Sequence, residues 1–169
     1  MAREFFVPGS IMTGSGALDA SADTLKKKGK KALIVTDAMM VELGNCAKVE
    51  RVLEHAKVGY SVFDRIGGEP TDVMVKDGLE QYKREGCDFL VGLGGGSPLD
   101  TMKSIAVLSS DGGEDITVYM GKEISAAVPP MVAIPTTAGT GSEATQFSII
   151  NDTRNNIKML LKGKVMLPE

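Results

Sequence analysis

Asp88-Phe89-Leu90-Val91-Gly92-Leu93-Gly94-Gly95-Gly96-Ser97-Pro98-Leu99-Asp100 is the stretch whose reading decides the fold. An apolar strand from Asp88 to Leu93 runs straight into three glycines, and a helix follows from Pro98. Glycines let a backbone approach a ligand closely and turn its N–H groups inward. A helix N-terminus adds roughly half a positive charge. Together they make an anion site, most often for phosphate. Pro98 suits a first helical position, where a missing N–H removes nothing. The plain alternative is a tight strand-to-helix turn in which Ser97 and Asp100 form a variant of a capping box. Three consecutive glycines exceed what such a cap needs. The spacing Gly92-x-Gly94-x-x-Ser97 also lacks the last glycine of the usual dinucleotide fingerprint.

Outward from this loop, short apolar runs alternate with helical stripes. Lys31 to Thr36, Tyr60 to Asp64 and Met131 to Pro135 read as further strands. Leu18, Ala22 and Leu25 share a helix face that Gly29 ends. Val49, Val52, Leu53 and Ala56 make a second stripe, ended by Gly59. Thr71 can cap a third helix with Val75, Leu79 and Tyr82 on one face, ended by Gly86. The helix after the glycine loop carries Met102, Ile105, Ala106 and Leu108. Alternation of this kind predicts an α/β fold, a Rossmann-like parallel sheet flanked by helices. Two β-hairpin additions are expected. One is N-terminal, from alternating apolar residues over 1 to 16. The other is C-terminal over 144 to 162, where Phe147 and Ile149 lead into a turn at Asn151-Asp152-Thr153-Arg154, before Ile157, Met159 and Leu161. Ser110 to Pro130 reads as a long loop with one short turn near Asp115 to Met120, a functional lid or an irregular wall.

Composition narrows the class. The chain has 169 residues, 43% of them hydrophobic and 24% charged. That is one domain with a sizeable core, which argues against global disorder. Nineteen basic residues against 22 acidic ones give a net charge of −3. A generic binder of nucleic acid or anionic membrane would be basic. No apolar run approaches the ~20 residues of a membrane span. The opening residues lack the apolar stretch of a signal peptide. Cys46 and Cys87 are too few for a disulfide framework, so a cytoplasmic, reduced setting is expected. Glycine supplies 20 residues, well above the ~7% average.

A second cluster follows the last parallel strand: Ile134-Pro135-Thr136-Thr137-Ala138-Gly139-Thr140-Gly141-Ser142-Glu143. Its hydroxyls and free amides suit pyrophosphate and ribose oxygens. A turn in which Thr and Ser satisfy their own backbone is the plain alternative. At the carboxyl edge of one sheet, this cluster and the glycine loop would face each other across a crevice. Asp37, closing the strand at Thr36, can accept from adenosine ribose hydroxyls and repel a 2′-phosphate, favouring NAD over NADP. It can equally cap the next helix. No catalytic constellation is evident. His55 is the only histidine, and its helix position reads as surface. No Gly-x-Ser-x-Gly elbow is present, and no His, Cys and carboxylate grouping has metal-ligand spacing. The lysines from Lys26 to Lys31 read as a solvated helix end, and the 10 methionines as core.

These motifs resemble the N-terminal half of the iron-containing (group III) alcohol dehydrogenases. The likeness runs from Phe5 to Glu169. It rests on the opening Phe-Val-Pro-Gly-Ser-Ile, Thr36-Asp37, Glu69-Pro70-Thr71, and the two loops starting at Gly94 and Ile134. The resemblance implies that residues 1 to 169 form a dinucleotide-binding domain. A helical C-terminal domain would carry a divalent metal, iron or zinc, on one Asp and three His that all lie further along. It implies that Gly95, Gly96, Ser97 and Asp100 line the pyrophosphate and nicotinamide side, and that Thr136, Thr137, Gly139 and Thr140 continue that wall. Thr145 would lie near the nicotinamide ribose, Ile149 would pack on the nicotinamide side, and Lys158 would reach the cofactor. Asp37 would read the adenosine ribose. Glu69 stands where similar sequences often have Asn, adding negative charge near Asp37. The implied function is hydride transfer between an alcohol or aldehyde substrate and NAD, in a homo-oligomer. This chain alone would bind cofactor without turnover. A face meant for the missing domain would expose apolar residues near Leu160, Leu161, Val165 and Leu167. A stand-alone nucleotide-binding module, regulatory or complementing a separate metal domain, is the alternative.

Overall fold

The computed structural model describes residues 4–113 and 115–169, so the N-terminal expectation for residues 1 to 3 lies outside it. Four strands form a parallel sheet: β1 (Lys31–Val35), β2 (Gly59–Phe63), β3 (Phe89–Gly94) and β4 (Met131–Pro135). Their order is β2-β1-β3-β4, with Ala32 opposite both Tyr60 and Phe89, and Leu90 opposite Met131. Helices cover both faces. Two short helices, α1 (Ala17–Ala20) and α2 (Ala22–Lys28), replace the single one expected. The break falls at Ser21, whose hydroxyl donates to the Leu18 carbonyl at 2.6 Å. Then come α3 (Ala38–Glu42), α4 (Asn45–His55), α5 (Asp72–Arg84) and α6 (Gly96–Asp111).

Side-chain alternation along β1 explains the two layers. Leu33 and Val35 point into one core with Val75, Leu79, Met102 and Ile105 of α5 and α6. Ala32 and Ile34 point into the other with Leu25, Val49 and Leu53 of α2 and α4. A parallel strand buried on both faces reads as a continuous apolar run, and every residue of β3 is buried. Residues Pro98 to Leu108 of α6 are all buried as well, so this helix is the internal axle of its layer.

The C-terminal hairpin forms from β5 (Phe147–Asp152) and β6 (Ile157–Lys162), with Ile149 opposite Leu160 and Asn151 opposite Lys158. Its turn lies later than expected, over 153–156. Asp152 accepts from the Arg154 amide at 2.9 Å and the Asn155 side-chain amide at 2.7 Å, and Asn156 takes a positive φ of 53°. The N-terminal alternation does not produce a second hairpin among the described residues. Residues 4–13 run without strand pairing, and Phe5, Val7, Ile11 and Met12 are exposed. The long connection is a wall rather than a lid. A 3-10 turn, Ile116–Tyr119, plugs the fully buried Ile116 into the α5–α6 core, and Ile124 donates its amide to the Lys162 carbonyl at 2.8 Å.

Candidate functional site

Strand order places the site. The chain passes from β1 to β2 on one side, then returns over β1 to β3. The carboxyl ends of β1 and β3 therefore flank a topological switch point, where open α/β sheets leave a crevice for ligands. Asp37 follows β1 there, and Gly94 closes β3. A Cβ on Gly94 would stand 3.3 Å from Asp37 Oδ2 and 2.8 Å from Pro98. Gly94 also has φ of +140°, a conformation side chains rarely adopt. Both demands require glycine.

The glycine loop is tighter than expected. Helix α6 starts at Gly96 with Gly95 as its N-cap, two residues before Pro98, and no side chain caps it. The structure adopts neither the capping-box alternative for Ser97 and Asp100 nor the expected first helical position for Pro98. Pro98 is tolerated at the third helical position because the first four N–H groups have no partner within a helix. With no side chain closing that end, the Gly96 and Ser97 amides have no capping partner, and the helix dipole there favours an anion.

The second loop stands against the first. A Cβ on Gly95 would meet Thr137 Oγ1 at 3.2 Å, and one on Gly96 would meet Thr140 Cγ2 at 3.1 Å. Thr136, Thr137, Gly139 and Thr140 are exposed, as a ligand wall requires. Thr145, Ile149 and Lys158 come from the segment behind this loop and from the hairpin. Ile149, Asn151, Lys158 and Leu160 share the hairpin face that the two cores leave uncovered. Lys158 pairs with Glu69 at 2.7 Å, and Asn151 donates to the same carboxylate at 2.9 Å. The Lys158 and Asn151 hydrogen bonds hold the Glu69 carboxyl below its usual range. Asp37 takes the capping role: its Oδ1 accepts from the Met40 amide at 2.9 Å, leaving Oδ2 on the Gly94 side.

Asp100 is the most informative residue. It lies in α6 with 8% exposure. Oδ2 accepts from the Ile149 amide at 3.0 Å, whereas buried Oδ1 has no hydrogen-bond partner. Burial pushes its carboxyl up, opposed by the Ile149 amide, the nearby Ser142 hydroxyl and the Lys103 charge. An orphaned buried acceptor is costly in a finished structure. It fits a site completed by a donor from a ligand.

Sequence reading missed Lys103. It is fully buried, and its ammonium donates to the carbonyls of Thr145 at 2.8 Å and Phe147 at 2.9 Å. The signal was present: a lysine three residues after Asp100, flanked by the apolar positions Met102, Ile105 and Ala106 of the same helix. Among the described residues, no three His, Cys, Asp or Glu side chains gather to hold a metal ion. His55 is exposed at the end of α4. A cavity of about 600 Å³ lies apart from the crevice. It runs beside β4 between residues 8–24 and 168–169.

Fold and site together define an open α/β unit with helices on both faces and a glycine-rich helix start at its switch point. The iron-containing alcohol dehydrogenase model matches residues 8–169, and the chain belongs to that family. It is 40% identical over 166 residues to the NAD-dependent methanol dehydrogenase of Bacillus methanolicus, spanning 97% of this chain and 43% of that protein. A crystal structure of 1,3-propanediol oxidoreductase superposes with a TM-score of 0.94 at 34% identity, covering 99% of this chain and 44% of that one. Sulfoacetaldehyde reductase from Bifidobacterium kashiwanohense, solved in complex with NAD+, gives a TM-score of 0.89 at 27% identity, covering 100% and 45%. The chain thus spans less than half the length of these relatives. No helix among the described residues is long and apolar enough to cross a membrane.

Proposed function

We propose that this chain is the NAD-binding domain, residues 1 to 169, of a metal-assisted alcohol dehydrogenase. The observation that carries this reading is the apposition of the glycine loop and the threonine loop at the switch point, within van der Waals reach of each other at Gly95 and Gly96. The residues present fit a dinucleotide. Amides at the start of α6 face the pyrophosphate, with Gly95, Gly96 and Ser97 allowing close approach. Thr136, Thr137, Gly139, Thr140 and Thr145 offer hydroxyls and amides along the other wall. Asp37 Oδ2 accepts from ribose hydroxyls and disfavours a 2′-phosphate. Asp100 Oδ1 takes a donor from the nicotinamide side, and Ile149 gives that side an apolar surface. Lys158 exchanges Glu69 for a cofactor oxygen.

Bound NAD supplies the hydride acceptor for an alcohol, or the donor for an aldehyde. Everything assigned to this chain is binding and orientation. A divalent metal, iron or zinc, would be held elsewhere in the family's longer chains, so this chain alone binds cofactor without turnover. The small alcohol or aldehyde substrate, a homo-oligomeric state and a cytoplasmic setting belong to the same proposal. The test is calorimetric titration of NAD into the chain, with ADP-ribose as control. Saturable binding of both is expected. No heat from a chain shown to be folded overturns the reading.

A further inference from the structure

Lys103 does not belong to the set of residues that face the crevice. Its surroundings nevertheless tie it to that set. Asp100, Lys103 and Ser104 lie on one face of α6, at spacings of three and four. All three grip the segment from Thr145 to Ile149. Asp100 Oδ2 takes the Ile149 amide at 3.0 Å, and the Asp100 carbonyl takes the Ser148 hydroxyl at 2.9 Å. Ser104 and Ser148 hydroxyls stand 2.9 Å apart. The Lys103 ammonium spans the Thr145 and Phe147 carbonyls and lies 3.4 Å from Thr145 Oγ1. An ammonium has three protons and no lone pair. With two on carbonyls, the third points at Thr145 Oγ1, which must accept. The Thr145 hydroxyl proton is then free to point outward.

We propose that Lys103 is a positioning residue that fixes the Thr145 hydroxyl as a donor toward a bound dinucleotide and locks α6 to the hairpin. This rests on the NAD reading above. A neutral amine at Lys103 could still serve both carbonyls, but its lone pair would draw the Thr145 proton inward. The donor toward the crevice would be lost. Burial pushes the Lys103 amine down to about 8, against the opposing charges of Asp100 on α6 and Glu143 beside the threonine loop. The two forms therefore exchange within an accessible pH range.

The experiment is calorimetric titration of NAD and of ADP, which lacks the nicotinamide ribose, between about pH 6.5 and about pH 9.5. It compares the unaltered chain with Lys103→Met and Thr145→Val. For the unaltered chain, NAD affinity falls across this range while ADP affinity holds. Lys103→Met weakens NAD by about tenfold at the lower pH, the worth of one hydrogen bond, and spares ADP. Thr145→Val is weakened for NAD and shows no fall with pH. Should Lys103→Met fail to fold, the pH profiles of the unaltered chain and Thr145→Val decide. A fall with pH that persists in Thr145→Val overturns the proposal, as does a Lys103→Met that loses NAD and ADP equally. Absence of NAD and ADP binding by the folded, unaltered chain overturns the NAD reading and this proposal with it. Binding of both ligands with no pH dependence overturns this proposal alone.

Discussion

Asp37 holds two duties with its two oxygens, one capping α3 and one beside Gly94. The variants Asp37→Asn and Asp37→Gly separate them. Asn keeps a capping acceptor, so its thermal midpoint should stay near that of the unaltered chain, while the ratio of NADP to NAD affinity rises. Gly should relieve the same exclusion, and loss of the cap should lower stability by a few tenths of a kcal/mol. Titration of both cofactors against both variants checks this, and an unchanged ratio removes Asp37 from the ribose assignment. The cysteines make a second prediction at this scale. Burial pushes the Cys46 thiol up to about 12 and the Cys87 thiol up to about 11. The thiolate is the reactive form, so thiol reagents near neutral pH should label neither residue before unfolding. An unfolded chain deprotonates these thiols near 9, before the folded one does. Their contribution to stability is therefore complete below that value and falls as pH rises through 11 and 12. Lys103 acts with the opposite sign. Between about 8 and its ordinary 10.5 the unfolded chain holds a proton the folded chain has released, so its contribution rises with pH there. Denaturant midpoints across that window should climb less steeply in Lys103→Met than in the unaltered chain.

At the scale of elements, β3 and α6 form one device. The strand ends at Gly94, the helix starts at Gly96, and Gly95 between them serves as its N-cap. Gly94→Ala must force a Cβ to within 2.8 Å of Pro98 at a positive φ. It should lower stability by about 1–3 kcal/mol in a denaturant titration. Gly96→Ala meets Thr140 and Ser142 at 3.1 to 3.4 Å, with Thr140 on an exposed loop. That loop can give way, so the expected result is a smaller stability change and a marked loss of NAD binding. Equal losses in both properties for the two variants would deny the loops their separate roles. The hairpin belongs to the same device. It is tied to α6 through Asp100, Lys103 and Ser104, and to the segment before α5 through the Asn151 amide on the Pro70 carbonyl, rather than paired with the parallel sheet.

At the scale of the whole chain, several large apolar side chains are exposed among the described residues. Phe5 is 90% exposed, Ile11 69%, Met39 63%, Leu43 63% and Leu160 57%. Of the four residues expected at an uncovered face, the fold exposes Leu160 alone. It buries Leu161, because β6 turns alternate residues toward the core, and half-buries Val165 and Leu167 beyond that strand. One edge of the sheet, β4, pairs only with β3, and the 600 Å³ groove runs beside it. Exposed apolar surface and an open sheet edge drive association. Gel filtration should show the chain eluting larger than its 17.8 kDa, and a double substitution of Phe5 and Ile11 by Ser should shift it toward monomer. A clean monomer before substitution removes the expectation.

Local periodicity was enough to show the alternating strands and helices, the two loops, and the C-terminal hairpin, because strand and helix periods are properties of neighbouring residues. The parallel α/β architecture followed, since an apolar run such as Phe89-Leu90-Val91 is best accommodated between two helical layers. Where the loops touch, and what each side chain does once there, depended on tertiary structure. Ser97 reads as a cap in sequence, but the switch-point geometry starts the helix at Gly96 and leaves that end open. Alternation over residues 1 to 16 suggests a strand or hairpin, but a strand needs a hydrogen-bonded neighbour, and the described residues 4–16 have none. Lys103 read as one more helix residue. Only the packing of α6 against the segment from Thr145 to Phe147, far away in sequence, shows that its ammonium has two carbonyls to satisfy.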